Sequence, residues 1–278
     1  MRLSLDQLPP ICVDDTRNRP EGVVDLWCFE YEKVVEDEQL IAEYRGLLSE
    51  AERVRYARFY FDRDRLQYLA TRALVRTVLS QYAAVSPQDW YFHIDERGKP
   101  SVGQPRTPLP LHFNLSNTRG LVACAVSVGH ERVGVDVERL DRKNDLEALA
   151  DRYFCPTESR ALRTLDAASR PRRFFDYWTL KESYIKARGL GLAIPLDSFR
   201  FQIARDQRLD ADANEKEEEH GRVSERIDIE IDASQRDEAS RWRFAVIDSP
   251  PRFALALGVD TGGEPLSVRA AKVTPLRE

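Results

Sequence analysis

The chain is short of the residues that build the commonest metal and nucleophile sites, with four histidines and four cysteines in 278 residues. His93, His112, His130 and His220 are scattered without ligand spacing, which argues against a histidine-held zinc. Cys12, Cys28, Cys124 and Cys155 lie far apart with no Cys-x-x-Cys pair, so they read as free, packed thiols of a reducing cytoplasm. No Ser/His/Asp order and no nucleophile elbow occur. No Gly-rich phosphate loop occurs either, since Gly189-x-Gly191 follows a helical stretch rather than opening one. No apolar run approaches the length of a membrane span, and Asp6, Gln7, Pro9 and Pro10 interrupt any apolar start of the signal-peptide kind. Positive charge is not in excess: the net charge of −5 offers no general attraction to nucleic acid or to an anionic membrane.

What is present suits a globular protein. Hydrophobic content of 42% and charge of 32% can bury one large core or two smaller ones at this length. Residues 23–30 read as a first strand, 49–61 as a helix with Ser49 and Glu52 as a capping box, and 63–83 as a longer helix. A strand is expected at 89–95, a Pro/Gly-rich loop at 96–110, and strands at 111–114 and 121–128 around a turn at 117–120. The second half repeats the order. Strand 132–138 precedes helical stretches at 144–153 and 157–166 and a helix over 171–188, capped by Ser169 and ended by Gly189. Strands follow at about 198–204, 226–232, 241–247 and 252–259. Phe174, Phe175, Trp178, Tyr184 and Ile185 are assigned to the core. The acidic run over 206–222 is assigned to a solvated loop. The fold class expected is α+β, as two similar lobes covering 1–130 and 131–278.

Two short blocks carry the chemistry. In Gly134-Val135-Asp136-Val137-Glu138, period two puts Asp136 and Glu138 on one face of a strand. In Trp178-Thr179-Leu180-Lys181-Glu182-Ser183-Tyr184-Ile185-Lys186, Glu182 and Lys186 share a helix face. Three carboxylates brought together repel unless a cation sits between them. Hard oxygen ligands with room for water and a phosphate suit Mg²⁺, and a lysine beside them can meet a phosphate oxygen. The constellation points to metal-assisted chemistry on a phosphate group. The alternatives are a Mg²⁺-dependent nuclease and a binding protein without catalysis. A nuclease of that class places its Glu and Lys two apart on a strand, not four apart on a helix.

The flanking residues resemble the surfactin-type 4′-phosphopantetheinyl transferases. Phe113-Asn114-Leu115-Ser116-Asn117, then Gly134 to Glu138, then Trp178-x-x-Lys181-Glu182-Ser183-Tyr184-x-Lys186-Ala187-x-Gly189-x-Gly191-Leu192 occur in the family's order. Arg58-Phe59-Tyr60, Leu74-Val75-Arg76, Gly98-Lys99-Pro100 and Pro195 to Phe199 also match, so the resemblance spans roughly 45 to 200. It implies a pseudo-duplicated fold with the active site in the cleft between lobes. It implies transfer of the phosphopantetheine arm of coenzyme A to a serine of an apo acyl or peptidyl carrier protein, releasing adenosine 3′,5′-bisphosphate. Asp136 and Glu182 become metal ligands. Glu138 becomes a third ligand, direct or through water, or the acid that orients that water. Glu182 is also the preferred base, directly or through a metal-bound water, and Lys186 binds the pyrophosphate and steadies the leaving charge. Arg55, Lys99 and Ser116 align with nucleotide contacts. Asn117 stands where the family usually has a histidine for the 3′-phosphate, with Arg119 close enough in sequence to compensate, and Glu52, or Arg53 if the register slips, stands at a further basic position. A cytoplasmic monomer is expected.

Overall fold

The computed structural model describes residues 1–11, 22–141, 145–205, 225–248 and 252–277. Along these run β1 (Arg2–Ser4), β2 (Val23–Phe29), α1 (Glu38–Leu47), α2 (Glu50–Ala57), α3 (Asp62–Ser80), β3 (Tyr91–Ile94), β4 (Pro100–Gln104), β5 (His112–Thr118) and β6 (Leu121–Ser127). Then come β7 (Val133–Arg139), α4 (Leu146–Tyr153), α5 (Pro156–Arg163), α6 (Ser169–Arg188), β8 (Phe199–Arg205), β9 (Glu225–Ile231), β10 (Trp242–Asp248), β11 (Phe253–Asp260) and β12 (Ser267–Lys272). The fold is α+β. Strand, three helices, hairpin and second hairpin occur twice. Both main sheets have the same inner order, β2-β6-β5 and β7-β11-β10, with the later strand of the hairpin in the middle.

The terminal strands cross between these two units. β1 joins the second sheet, parallel to β10, and β12 joins the first, parallel to β2. Each carries an arginine onto a buried aspartate. Arg2 pairs with Asp176 of α6, and Arg269 Nε donates to Asp25 of β2 at 3.0 Å. Such pairs matter because an aspartate that loses its cation stays buried and uncompensated.

Apolar alternation decides the layers. Val133, Val135 and Val137 are buried with Val24, Leu26, Ala123, Ala125, Leu255 and Leu257 in a core between the two sheets. A second core holds the first three helices against the first sheet, and a third holds α6 against β8 to β11. Full burial of each large apolar side chain contributes about 1.5–3 kcal/mol, so the two sheets are joined by a core rather than by a wet hinge. Phe174, Phe175, Tyr184 and Ile185 are buried there, and Trp178 packs against the same cluster.

Several local expectations hold, and some do not. The Ser49/Glu52 capping box is formed. Gly189 ends α6 in the left-handed conformation at φ 66°. Cys28 and Cys124 are buried free thiols and Cys155 is partly buried, while Cys12 lies outside the described residues. Ser169 is not the N-cap of α6. It is the first helical residue, its hydroxyl donating to Asp166 at 2.8 Å. The stretch read as a loop after Ile94 contains β4, paired with β3 around a turn at Gly98. The acidic run over 206–222 lies outside the described residues. Among the described residues no helix is long and apolar enough to cross a membrane.

Candidate active site

Two edge strands meet where the lobes join. β5 ends the first sheet and β7 ends the second, so N–H groups on the open side of β7 need partners from outside their own ladder. Side chains of β5 supply them. Asn114 Oδ1 accepts from the Val135 N–H at 2.9 Å, and Ser116 Oγ accepts from the Val137 N–H at 3.2 Å. Period two puts Asn114 and Ser116 on one face of β5, as it puts Asp136 on the β7 face opposite Val135 and Val137. Ser116 is therefore a strand residue, beyond the expected strand end at 114.

Helix α6 reaches this seam because β7 carries a glycine there. A Cβ on Gly134 would stand 2.0 Å from the Ser183 carbonyl oxygen and 2.6 Å from the Ala187 nitrogen. Only glycine admits so close a backbone approach. Gly258, paired with Gly134 across the ladder, continues the trough. The approach brings Lys186 onto the strand. Its Nζ donates to Asp136 Oδ1 at 2.7 Å, to Ser116 Oγ at 2.9 Å and to the Val135 carbonyl at 3.3 Å. The Ser116 hydroxyl in turn donates to Asp136 Oδ1 at 2.9 Å.

The charges at this point do not close among themselves. Asp136 is 5% exposed, and its second oxygen, Oδ2, is buried without a hydrogen-bond partner. Glu182, one helical turn before Lys186, has its carboxyl held above the ordinary glutamate value by burial and then by the charge of Asp136. An orphaned carboxylate oxygen beside a carboxyl that resists ionising is a donor set that fits a hard divalent cation. The third acid stands apart. Among the described residues no group of three or more His, Cys, Asp or Glu side chains converges closely enough to share an ion. Glu138 lines a separate cavity of about 450 Å³ with Gln67, Asn117, Arg119 and Arg139.

The remaining site residues divide in the same way. Glu182 and Lys186 line a cavity of about 300 Å³ with Arg97, Lys99 and Asn114. Asp95 Oδ1 accepts from the Arg97 and Lys99 N–H groups at 2.9 and 2.8 Å, and Gly98 turns the chain at φ 86°, which projects Lys99 towards α6. Its Nζ donates to the Lys186 and Ala187 carbonyls at 2.8 and 3.3 Å, capping the helix end whose carbonyls lack partners. Burial holds the Lys99 ammonium below its ordinary value. Lys99 and Arg119 thus face different cavities. Arg119 is exposed and lies 3.4 Å from Glu32. Asn117 accepts from Gln67 and donates to Thr71 Oγ1 at 3.3 Å. Arg55 lines neither cavity and lies over the Tyr68 ring on the α2–α3 face.

Some participants have no obvious local signature. Gln67 and Thr71 are one turn apart on α3, and nothing local tells them from other polar helix residues. Lys181, inside the Trp178-x-x-Lys motif, is fully buried. It donates to the Leu196 and Phe199 carbonyls at 2.8 and 2.7 Å and pairs with Glu158 at 2.9 Å, which ties the segment after α6 to α5.

Comparison with known proteins agrees with this geometry. Residues 132–246 match the family model described as 4′-phosphopantetheinyl transferase superfamily. Residues 37–129 match the one described as 4′-phosphopantetheinyl transferase, N-terminal. The 4′-phosphopantetheinyl transferase HetI of Nostoc sp. is 39% identical over 156 residues, which is 56% of this chain and 65% of HetI, just under two thirds of its length. The 4′-phosphopantetheinyl transferase Sfp of Bacillus subtilis is 34% identical over 163 residues, 59% of this chain and 70% of Sfp. A phosphopantetheinyl transferase of Thraustochytrium sp. is 30% identical over 252 residues, 81% of this chain and 85% of the relative. With both lobes matched in order and a relative aligned over most of its length, the chain belongs to the 4′-phosphopantetheinyl transferase family.

Proposed function

We propose that this chain is a Mg²⁺-dependent 4′-phosphopantetheinyl transferase of the holo-[acyl-carrier-protein] synthase type. A serine hydroxyl of an apo acyl or peptidyl carrier protein attacks the β-phosphorus of coenzyme A. The new serine–phosphorus ester forms as the pyrophosphate P–O bond breaks, adenosine 3′,5′-bisphosphate leaves, and the carrier keeps the phosphopantetheine arm. The observation that carries this reading is the Lys186–Asp136 pair at 2.7 Å with Asp136 Oδ2 buried and unpartnered beside Glu182.

Asp136 and Glu182 would hold the ion, with Glu138, which lines the separate cavity, acting through water. Bound there, Mg²⁺ would neutralise pyrophosphate charge as a Lewis acid. Lys186 meets the pyrophosphate and steadies the charge on the departing phosphate. Glu182 takes the serine proton, directly or through water. Ser116 and Asn114 hold β5 against β7, so that Lys186 and Asp136 keep their spacing during the step. Free thiols at Cys28 and Cys124 suit a reducing cytoplasm. The site draws on both lobes of a single chain, which suits a monomer. The test is incubation with coenzyme A, Mg²⁺ and a panel of apo carriers, read by intact-protein mass. The reading requires mass gain on at least one carrier that disappears with chelator.

A further inference from the structure

Lys186 lies in the last turn of α6, just before the helix ends at Arg188. Helix ends fray, so the place of a side chain there depends on what holds the turn from outside. In front, α6 rests backbone against backbone on Gly134. At about 100° per residue, Tyr184 and Arg188 project from the side of the helix opposite Glu182 and Lys186. Both end on one buried carboxylate, Asp237, in the segment between β9 and β10. Asp237 Oδ2 accepts from Tyr184 OH at 2.8 Å, from Arg188 Nη1 at 2.8 Å and from Trp242 Nε1 at 3.0 Å. Arg188 Nη1 also donates to Tyr184 OH at 2.6 Å, and its Nη2 to the Gln235 carbonyl at 3.2 Å. Asp237 Oδ1 accepts from the Glu238 N–H at 3.0 Å, which ties the carboxylate to its own loop.

The side chains of Arg188 and Asp237 are 10% and 5% exposed, so neither charge has water to turn to if the other moves away. Asp237 lines a cavity of about 570 Å³ with His130, Arg132 and Asp260, apart from the two cavities that Glu182 and Glu138 line. We propose that Asp237 is a positioning residue. By holding Tyr184 and Arg188 it fixes the last turn of α6, and with it the Lys186 ammonium against Asp136 and an incoming pyrophosphate. The inference rests on the proposed transferase reading and adds to it a residue that acts from behind the helix. Placement matters because a displacement of about 1 Å at a reacting centre can cost about a hundredfold in rate.

Calorimetry with coenzyme A in two backgrounds separates positioning from general stability. Asp237→Asn keeps the shape of the side chain and removes its charge. It should weaken coenzyme A binding about tenfold in the wild-type background. In the Lys186→Ala background it should change nothing further, because the group it places is gone. Tyr184→Phe removes one donor, keeps the ring packing, and should show the same dependence on Lys186 with a smaller loss. An equal loss in both backgrounds would make Asp237 a stability residue and overturn the inference, as would full affinity in Asp237→Asn. If Asp237→Asn does not fold by circular dichroism, Tyr184→Phe decides by the same two criteria. A loss that depends on Lys186, with every carrier left at its apo mass, would sustain the placement of Lys186 while the transferase reading fails.

Discussion

Lys186 Nζ stands 2.7 Å from one oxygen of Asp136, while the other oxygen of that carboxylate is buried and bonded to nothing. Asp136 is half neutralised from within the chain, and its charge adds to burial in holding the Glu182 carboxyl above its ordinary value. Asp136→Ala should therefore abolish cation-dependent transfer, by at least about a hundredfold, the scale of a lost electrostatic group in an active site. Far-ultraviolet circular dichroism should stay unchanged. Near-wild-type transfer by Asp136→Ala in Mg²⁺ would remove the metal assignment.

Lys186 joins α6, β5 and β7 at one atom. Lys186→Ala should weaken coenzyme A binding and lower turnover together, because the same charge meets the ground-state pyrophosphate and the departing phosphate. Lys186→Arg should recover only part of either, since a planar fork cannot replace a point charge held by three acceptors. Unchanged coenzyme A affinity by calorimetry with unchanged turnover would reduce this lysine to a structural tie between the lobes.

Glu182 gives a pH prediction with a definite sign. Burial, and then the charge of Asp136, raise its native value above the ordinary one. Below the ordinary glutamate range both folded and unfolded chains are protonated there and no penalty exists. As pH rises through the raised native value, ionisation in the folded chain costs stability, and the loss is complete above it. Glu182→Gln should raise the melting temperature of the metal-free protein at neutral pH and flatten that part of its pH dependence. Added Mg²⁺ should stabilise the wild type and not this variant. A lower neutral-pH melting temperature for Glu182→Gln would contradict this account.

Gly134 and Gly46 should respond in opposite directions. A Cβ at Gly134 meets the Ser183 carbonyl oxygen at 2.0 Å, whereas one at Gly46 meets nothing within 4 Å. Gly134→Ala should lower stability by about 1–3 kcal/mol, as overpacking does, and lose transfer activity because α6 is pushed off β7. Gly46→Ala, inside α1, should gain about 0.5–1 kcal/mol and keep activity. Denaturant titration measures both.

Residues with strong local period were legible. β7 and α6 followed from Val133, Val135 and Val137 and from the Gly189 stop, and with them the faces that carry Asp136 and Lys186, but not the hydrogen bond between the two. What depended on distant chain was not. β12, Ser267-Val-Arg-Ala-Ala-Lys, has little strand character of its own and is made by pairing with β2. β1 has three residues and exists because β10 accepts it. α1 was missed although Asp37 caps it, its side chain accepting from the Leu40 N–H at 2.9 Å. Asn117 looked like a turn residue because small polar residues usually are, yet β5 runs through it. The N–H groups of β7, which make Ser116 useful in a strand, are not visible in a local window.

The most direct test of the central claim is the intact mass of an apo carrier protein after incubation with coenzyme A, Mg²⁺ and this protein. The account predicts that at least one carrier gains a single phosphopantetheine arm on its serine. It also predicts adenosine 3′,5′-bisphosphate in equal amount, and neither product with Asp136→Ala. A fully active-looking fold that binds coenzyme A and Mg²⁺ yet leaves every acyl and peptidyl carrier at its apo mass would contradict it.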